Sequence, residues 1–174
     1  MQKSILAACR VASAIVLVGC GAGARGAVIR SPASTARPQS GFTLITLERK
    51  PCFGTCAVYA VSITGEGAVV FDGRQHVDSI RRVASRIDAE RVAALVQLFD
   101  EAQFFTLDDR YVYGEQNCRI YASDAPTVIT SITTGSRVKK VEHDAGCSSV
   151  PPRLADLERR IDEIVGTSRW IGHR

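Results

Sequence analysis

Phe42-Thr-Leu-Ile-Thr-Leu47, Pro51-Cys52-Phe53-Gly54-Thr55-Cys56 and Val58-Tyr-Ala-Val-Ser-Ile63 together form the stretch from which the fold is read. The two outer runs are short and rich in β-branched and aromatic residues, and in the second Tyr59, Val61 and Ile63 share one face. Glu48-Arg49-Lys50 ends the first run in charge. Two strands therefore flank a loop that carries cysteines four positions apart. Thr64-Gly-Glu-Gly67 is a glycine-bearing turn from which Ala68 to Phe71 pairs back as a hairpin, closed by Asp72-Gly73. Ser79 to Ile87 is expected to form a fourth strand.

Periodicity then changes from two to 3.6. Asp88 offers an N-cap to a helix from Ala89 to about Ala102, along which Val92, Leu95, Val96 and Phe99 make one apolar stripe. Phe104, Phe105 and Leu107 follow as a plug for the core. Asp108 to Glu115 reads as a solvated turn, because its carboxylates lack the alternate spacing of a calcium loop. Thr127 to Thr134 and Arg137 to His143, split by Gly135-Ser136, form a second hairpin. Pro151-Pro152 opens a last helix with a core stripe at Leu154, Leu157, Ile161 and Ile164 or Val165, and with outer pairs Asp156–Arg160 and Arg159–Glu163. Trp170 is expected to pack back onto the domain. The order ββββ-α-ββ-α implies an α+β fold, an antiparallel sheet of about six strands with two helices on one face.

The first 20 residues carry Lys3 and Arg10 ahead of an uncharged apolar run from Val11 to Val18, too short to span a bilayer. Leu17-Val18-Gly19-Cys20 resembles the lipobox of bacterial lipoproteins, which implies cleavage before Cys20 and a lipid anchor on that cysteine. The expected organisation is a signal peptide over 1–19, a flexible tether over 20–40 and one folded domain over 41–174. Gly21 to Ser40 is mostly Gly, Ala, Ser, Pro and Arg, a composition that cannot bury enough surface to order itself. Gly21 stands where an Asp would resemble an inner-membrane retention signal. The expected address is thus the cell envelope, on the periplasmic side of an outer membrane. Losing Lys3 and Arg10 lowers the formal charge from +4 to +2, which argues against a nucleic-acid partner.

With Cys9 in the signal and Cys20 acylated, Cys52, Cys56, Cys118 and Cys147 remain. An even number in an exported protein reads as disulfides, with three connectivities open. Proximity favours Cys52–Cys56, which leaves Cys118–Cys147. The spacing matches no zinc pattern of paired ligands, and the Gly146-Ser-Ser-Val-Pro-Pro stretch argues against a helix presenting His143 with Cys147, so no metal and no cofactor are expected.

The segment Pro51-Cys-Phe-Gly-Thr-Cys-Ala-Val-Tyr59, followed by Ile63-Thr-Gly-Glu-Gly-Ala-Val69, resembles a bacterial lipoprotein family that shares a Pro-Cys-Phe-Gly-x-Cys-Pro-x-Tyr opening and a glycine hairpin. That shared domain is one of unknown function. Phe104-Phe105-x-Leu107 and the Pro-Pro-x-Leu154 helix start fit the same pattern, and Ala57 departs from its usual Pro. The resemblance supplies no catalytic residues.

Two functions are weighed. The first is a non-catalytic envelope module that binds a protein or glycan, with Phe53, Gly54 and Tyr59 as the candidate recognition surface. The second is a thiol–disulfide protein using Cys52 and Cys56, although reactive pairs usually sit as CxxC at a helix N-terminus. A hydrolase that drew together Ser131 or Ser148 as nucleophile with His143 and Asp144 has little support, since no nucleophile elbow is present. An enzyme is the less favoured reading.

Overall fold

A computed structural model describes residues 42–172. The expected signal peptide, the expected lipidation site Cys20 and the expected tether lie outside the described residues.

Seven strands form one mixed sheet: β1 Thr43–Arg49, β2 Val58–Thr64, β3 Ala68–Gln75, β4 Arg82–Arg86, β5 Arg110–Tyr111, β6 Thr127–Thr134 and β7 Arg137–Asp144. Their order across the sheet is β4-β3-β2-β1-β6-β7-β5. The first strand is therefore central, with the β2–β4 meander on one side and the β6–β7 hairpin on the other. Neighbours run antiparallel except β5, which lies parallel to β7.

Cross-strand register sorts the two faces. Ile45 lies between Ile63 and Ile132, Leu47 between Val61 and Thr130, and Val61 opposite Phe71. All of these point to one side and are buried. Two helices, α1 (Ala89–Glu101) and α2 (Pro152–Val165), press their apolar stripes into the same core. The other face carries small and polar side chains such as Thr46, Ala60, Ser62 and Ser131, and no helix of the described residues packs there.

The ends of α1 follow its local chemistry. The Asp88 carboxylate accepts from the Arg91 amide at 2.8 Å, so the expected N-cap is the observed one. After α1, a single 3₁₀ turn at Phe104–Thr106 drops Phe104 into the core, edge-on to Phe99 at 4.9 Å. Helix α2 ends at Gly166, whose φ of 73° is the left-handed cap that glycine accepts without cost. A four-residue α3 (Ser168–Ile171) then sets Trp170 on Phe71, with ring centroids 4.9 Å apart.

Five expectations need correction. The sheet has seven strands rather than six and is not wholly antiparallel, because Arg110–Tyr111 adds beside β7 where a turn was expected. Strand β3 does not close at Asp72-Gly73 but runs to Gln75. Gly73 permits this: a Cβ there would stand 1.9 Å from the carbonyl oxygen of Ser79, which folds over the strand. The fourth strand spans only Arg82–Arg86. On α2, Asp156 pairs with Arg159 rather than Arg160, and Arg159 also meets Glu163.

Trp170 is 7% exposed, and the carbonyls of Ile171 and Trp170 accept from the Asp78 and Ser79 N–H groups at 3.3 and 3.0 Å. Its indole, packed on Phe71, ties the C-terminal segment to β3. Trp170→Ala is expected to lower stability by about 3–4 kcal/mol, read from the urea midpoint of the full chain.

Candidate functional site

Strand direction gathers the irregular chain at one end of the sheet. The β1–β2 loop (50–57), the β3–β4 connection (76–81), the β5–β6 excursion (112–126) and the β7–α2 connection (145–151) all leave that end. The opposite end holds the tight turns of the two hairpins. Both disulfides lie at the loop end: Cys52 with Cys56, Cα atoms 5.8 Å apart, and Cys118 with Cys147, 5.3 Å apart. The expected pairing is the observed one.

These clips organise different loops. The Cys52–Cys56 loop touches the long excursion through a bond from the Phe53 N–H to the Asp124 carbonyl at 3.3 Å. Gly54 has a φ of 144°, which an L side chain rarely adopts. Phe53 is left 87% exposed. Cys118–Cys147 is buried and ties the excursion to the end of β7, helped by an isolated bridge between Tyr121 and Cys147. On the excursion Tyr113 and Tyr121 place their rings 5.1 Å apart, and Tyr113 and Ile120 are largely exposed. Ile80, on the β3–β4 connection, is exposed as well. Of the six large apolar side chains exposed among the described residues, Phe53, Ile80, Tyr113 and Ile120 sit on loops at this one end.

Tyr59 is not part of that surface. It is 1% exposed and belongs to a polar strut beneath α2. Its position follows from alternation: Tyr59 shares the core-facing side with Val61 and Ile63. The Tyr59 hydroxyl donates to Asp162 Oδ1 at 2.7 Å, and Thr167 Oγ1 donates to the same oxygen at 2.9 Å. Arg49 donates from Nε to Tyr59 Oη at 2.9 Å and from Nη2 to Asp162 Oδ2 at 2.7 Å. Burial, and then the Asp162 charge, push the Tyr59 phenol well above its ordinary value. Burial alone would pull Arg49 down, but Asp162, Tyr59 and Glu158 together outweigh it and the guanidinium stays charged.

One turn earlier on α2, Glu158 is 2% exposed and accepts from Thr130 Oγ1 at 2.8 Å. His143 Nδ1 stands 3.3 Å from the same carboxylate oxygen, and His143 is 3% exposed. These groups have the composition of an acid–base centre, but α2 covers them and leaves no access for a substrate. Ser131, the candidate nucleophile, projects from the opposite face of the sheet and bonds Thr46 at 2.6 Å. Asp144 is engaged by Thr127 and by the Tyr113 amide. Ser131 therefore lies on the opposite face of the sheet from the buried His143, and these two hydrolase candidates do not converge.

The acidic turn is also spoken for. A hollow of about 590 Å³ is lined by Asp108, Asp109, Arg110, Glu115 and Asn117. Asn117 donates to Asp108, Lys139 pairs with Asp109, and Arg110 with Glu115. Among the described residues no group of three or more His, Cys, Asp or Glu is placed to hold a metal ion. The Cys52–Cys56 pair lies between two strands, and no helix begins at it to lower a thiol pKa.

Sequence reasoning overlooked Arg49, Glu158 and Asp162. Glu158 had a legible signal, since it falls at i+4 from Leu154 and i−3 from Ile161, inside the apolar stripe.

The geometry coincides with a family boundary. The family model for a domain of unknown function, DUF6438, matches residues 43–165. The chain belongs to this family. The match begins at the first residue of β1 and ends at the last residue of α2, so it spans the whole sheet and both long helices and omits α3. No curated protein sequence matches the chain significantly.

Three sets of variants in this region have expected outcomes, each read from urea titrations of the full chain. Removing the Asp162 carboxylate strands a charged Arg49, so Asp162→Ala is expected to cost about 2–3 kcal/mol. That is below the 3–5 kcal/mol of a fully buried pair, because the Arg49 side chain keeps 26% of its exposure. Tyr59 has a folded pKa above its unfolded value near 10, so its stabilisation is complete below about pH 10 and is lost as pH rises further. The stability gap between the native chain and Tyr59→Phe should be flat from pH 7 to 9 and narrow above pH 10 in urea titrations. Among the disulfides, Cys118→Ser with Cys147→Ser should cost about 3.6 kcal/mol and Cys52→Ser with Cys56→Ser about 2 kcal/mol, by loop length.

Proposed function

We propose that the protein is an envelope lipoprotein, anchored through Cys20, whose domain is a non-catalytic module that binds a protein partner at the disulfide-clipped loop end. The observation that carries this reading is the concentration of exposed apolar side chains, Phe53, Tyr113 and Ile120, on loops held by two disulfides. Clipped loops lose less conformational freedom on binding than free ones, and exposed aromatic side chains are efficient anchors.

Direction supports the same reading. The chain enters the sheet at Thr43, beside the hairpin turns, with the Gly135 N–H bonded to the Phe42 carbonyl. A seven-residue strand carries the loop end roughly 20 Å from that entry point. Phe53 therefore lies at the opposite end of the sheet from the residue at which the chain enters it. The recognition surface is Phe53 and Gly54 with the excursion beside them, and Tyr59 braces it from below.

The anchor and the binding end are tested separately. Alkyne-palmitate labelling in cells is expected in the native chain and absent in Cys20→Ala; equal labelling would remove the anchor. A photo-crosslinking benzoylphenylalanine in place of Phe53 is expected to give a discrete crosslinked protein, while the same group in place of Ser136, at the opposite end, gives none. Equal crosslinking from both sites, or none from Phe53, would overturn the binding end. Crosslinks to peptidoglycan fragments alone would replace the protein partner with a glycan.

A further inference from the structure

We propose that the free edge of β4 is a docking site for an extended acidic segment of a partner protein, which joins the sheet as an eighth strand. This surface is distinct from the loop end and does not depend on it. The two edges of the sheet differ. On one side the sheet ends in β5, which is only two residues long and pairs with β7 at Glu142 and His143, beside a segment whose lysines Lys139 and Lys140 belong to β7. On the other side it stops at β4, five residues long, with Arg82, Ala84 and Arg86 exposed.

Hydrogen-bond phase shows which groups face outward. Strands β3 and β4 pair in the register Val69 with Ser85 and Phe71 with Val83. Just beyond the strand ends, Ile87 N–H donates to the Gly67 carbonyl at 3.0 Å and Gly73 N–H to the Arg81 carbonyl at 3.1 Å. Bonded pairs alternate along an antiparallel ladder, so residues 81, 83, 85 and 87 turn their amide and carbonyl groups toward β3. Arg82, Ala84 and Arg86 turn theirs outward, and no described residue bonds them. Three N–H groups and three carbonyls thus stand in the spacing that an added antiparallel strand would use.

The side chains state the chemistry of that strand. Arg82, Ala84 and Arg86 lie opposite Asp72, Val70 and Ala68, so they project on the face without helices. No carboxylate lies within 4.0 Å of the guanidinium groups of Arg82, Arg86 or Arg169 among the described residues. Asp72, across from Arg82, is taken by Arg74. Arg86 is oriented by a 2.8 Å bond to the Glu66 carbonyl. On the helix side of the same edge Arg169 bonds Ser85 Oγ at 3.0 Å and lies over the Trp170 ring. Cations therefore flank the open backbone on both faces. A partner residue directly opposite Arg82 and another opposite Arg86 would be four apart on one face, with a small residue between them opposite Ala84. The expected pattern is acid-x-small-x-acid. Arginines on an edge also discourage self-pairing, which explains why the edge can stay open in the free protein.

The test uses the full chain in detergent and a fluorescein-labelled peptide, Thr-Val-Glu-Thr-Ala-Thr-Glu-Val-Thr, followed by anisotropy. Saturable binding is expected, weakened at least tenfold by Arg82→Glu with Arg86→Glu. That double variant should in turn bind the peptide in which both glutamates are lysines. N-methylation of the central alanine, whose amide must face Ala84, should abolish binding, whereas N-methylation of an adjacent threonine should leave it within about threefold. Ala84→Pro removes only an outward N–H and should lose binding while keeping the native circular dichroism. If Ala84→Pro fails to fold, the N-methyl pair alone decides. No saturable binding, or equal binding of both N-methylated peptides, would overturn the proposal. So would a heparin oligosaccharide that binds the same arginines while the peptide does not compete, which would assign the edge to an anionic glycan.

Discussion

One carboxylate holds the two layers in register. Asp162 stands in the last turn of α2 and accepts from Arg49 of β1, Tyr59 of β2 and Thr167 of the connection to α3. Its oxygens are filled from three directions, so α2 can neither slide along the sheet nor turn about its axis without leaving a charge or a phenol unpaired in a half-buried place. Hydrophobic contact alone would not specify this so narrowly, because the stripe Leu154, Leu157, Ile161 and Val165 would pack comparably after a small shift.

From that fixed point the C-terminal segment can be followed across the sheet. Glu158 sits over β6 and β7, Asp162 over β1 and β2, Trp170 over β3, and Arg169 reaches β4. The segment acts as a crossbar over six strands. The Arg49–Tyr59–Asp162 group also lies directly below the Cys52–Cys56 loop, since β1 ends at Arg49 and Tyr59 is the second residue of β2. The rigidity of the loop end thus comes from two sources, covalent clips above and a charged strut below.

Much of this was legible in the residues themselves. The N-cap at Asp88, the stripe of α1, both hairpins and the opening of α2 at Pro151-Pro152 are products of local chemistry, and local chemistry is what sequence displays. The departures have non-local causes. Arg110–Tyr111 has no strand signal of its own and becomes β5 because β7 offers it an edge. Asp72 and Gly73 look like a stop, yet β2 and the overlying Ser79 carry the strand through them. Tyr59 stands two residues into β2 from the Cys loop, and alternation puts its ring on the face of Val61 and Ile63. What alternation does not show is the partner that satisfies its hydroxyl there, Asp162 on α2, 103 positions away.

The central place of β1 has a kinetic consequence. The β2–β4 meander and the β6–β7 hairpin each form from neighbouring sequence, but they join only where Thr43–Arg49 meets Thr127–Thr134, about 85 positions apart in the chain. Until that pairing occurs, the first strand is half-married and the core open on one side. Such distant contacts slow folding, since loop closure must precede the burial that rewards it. A chain delivered from its N-terminus presents β1 first and waits for β6, with Cys52, Cys56 and then Cys118 exposed meanwhile. Cys52 and Cys56 are both present long before Cys118 and Cys147 arrive, so the small loop is the pair that can close without error while the larger one is still being delivered.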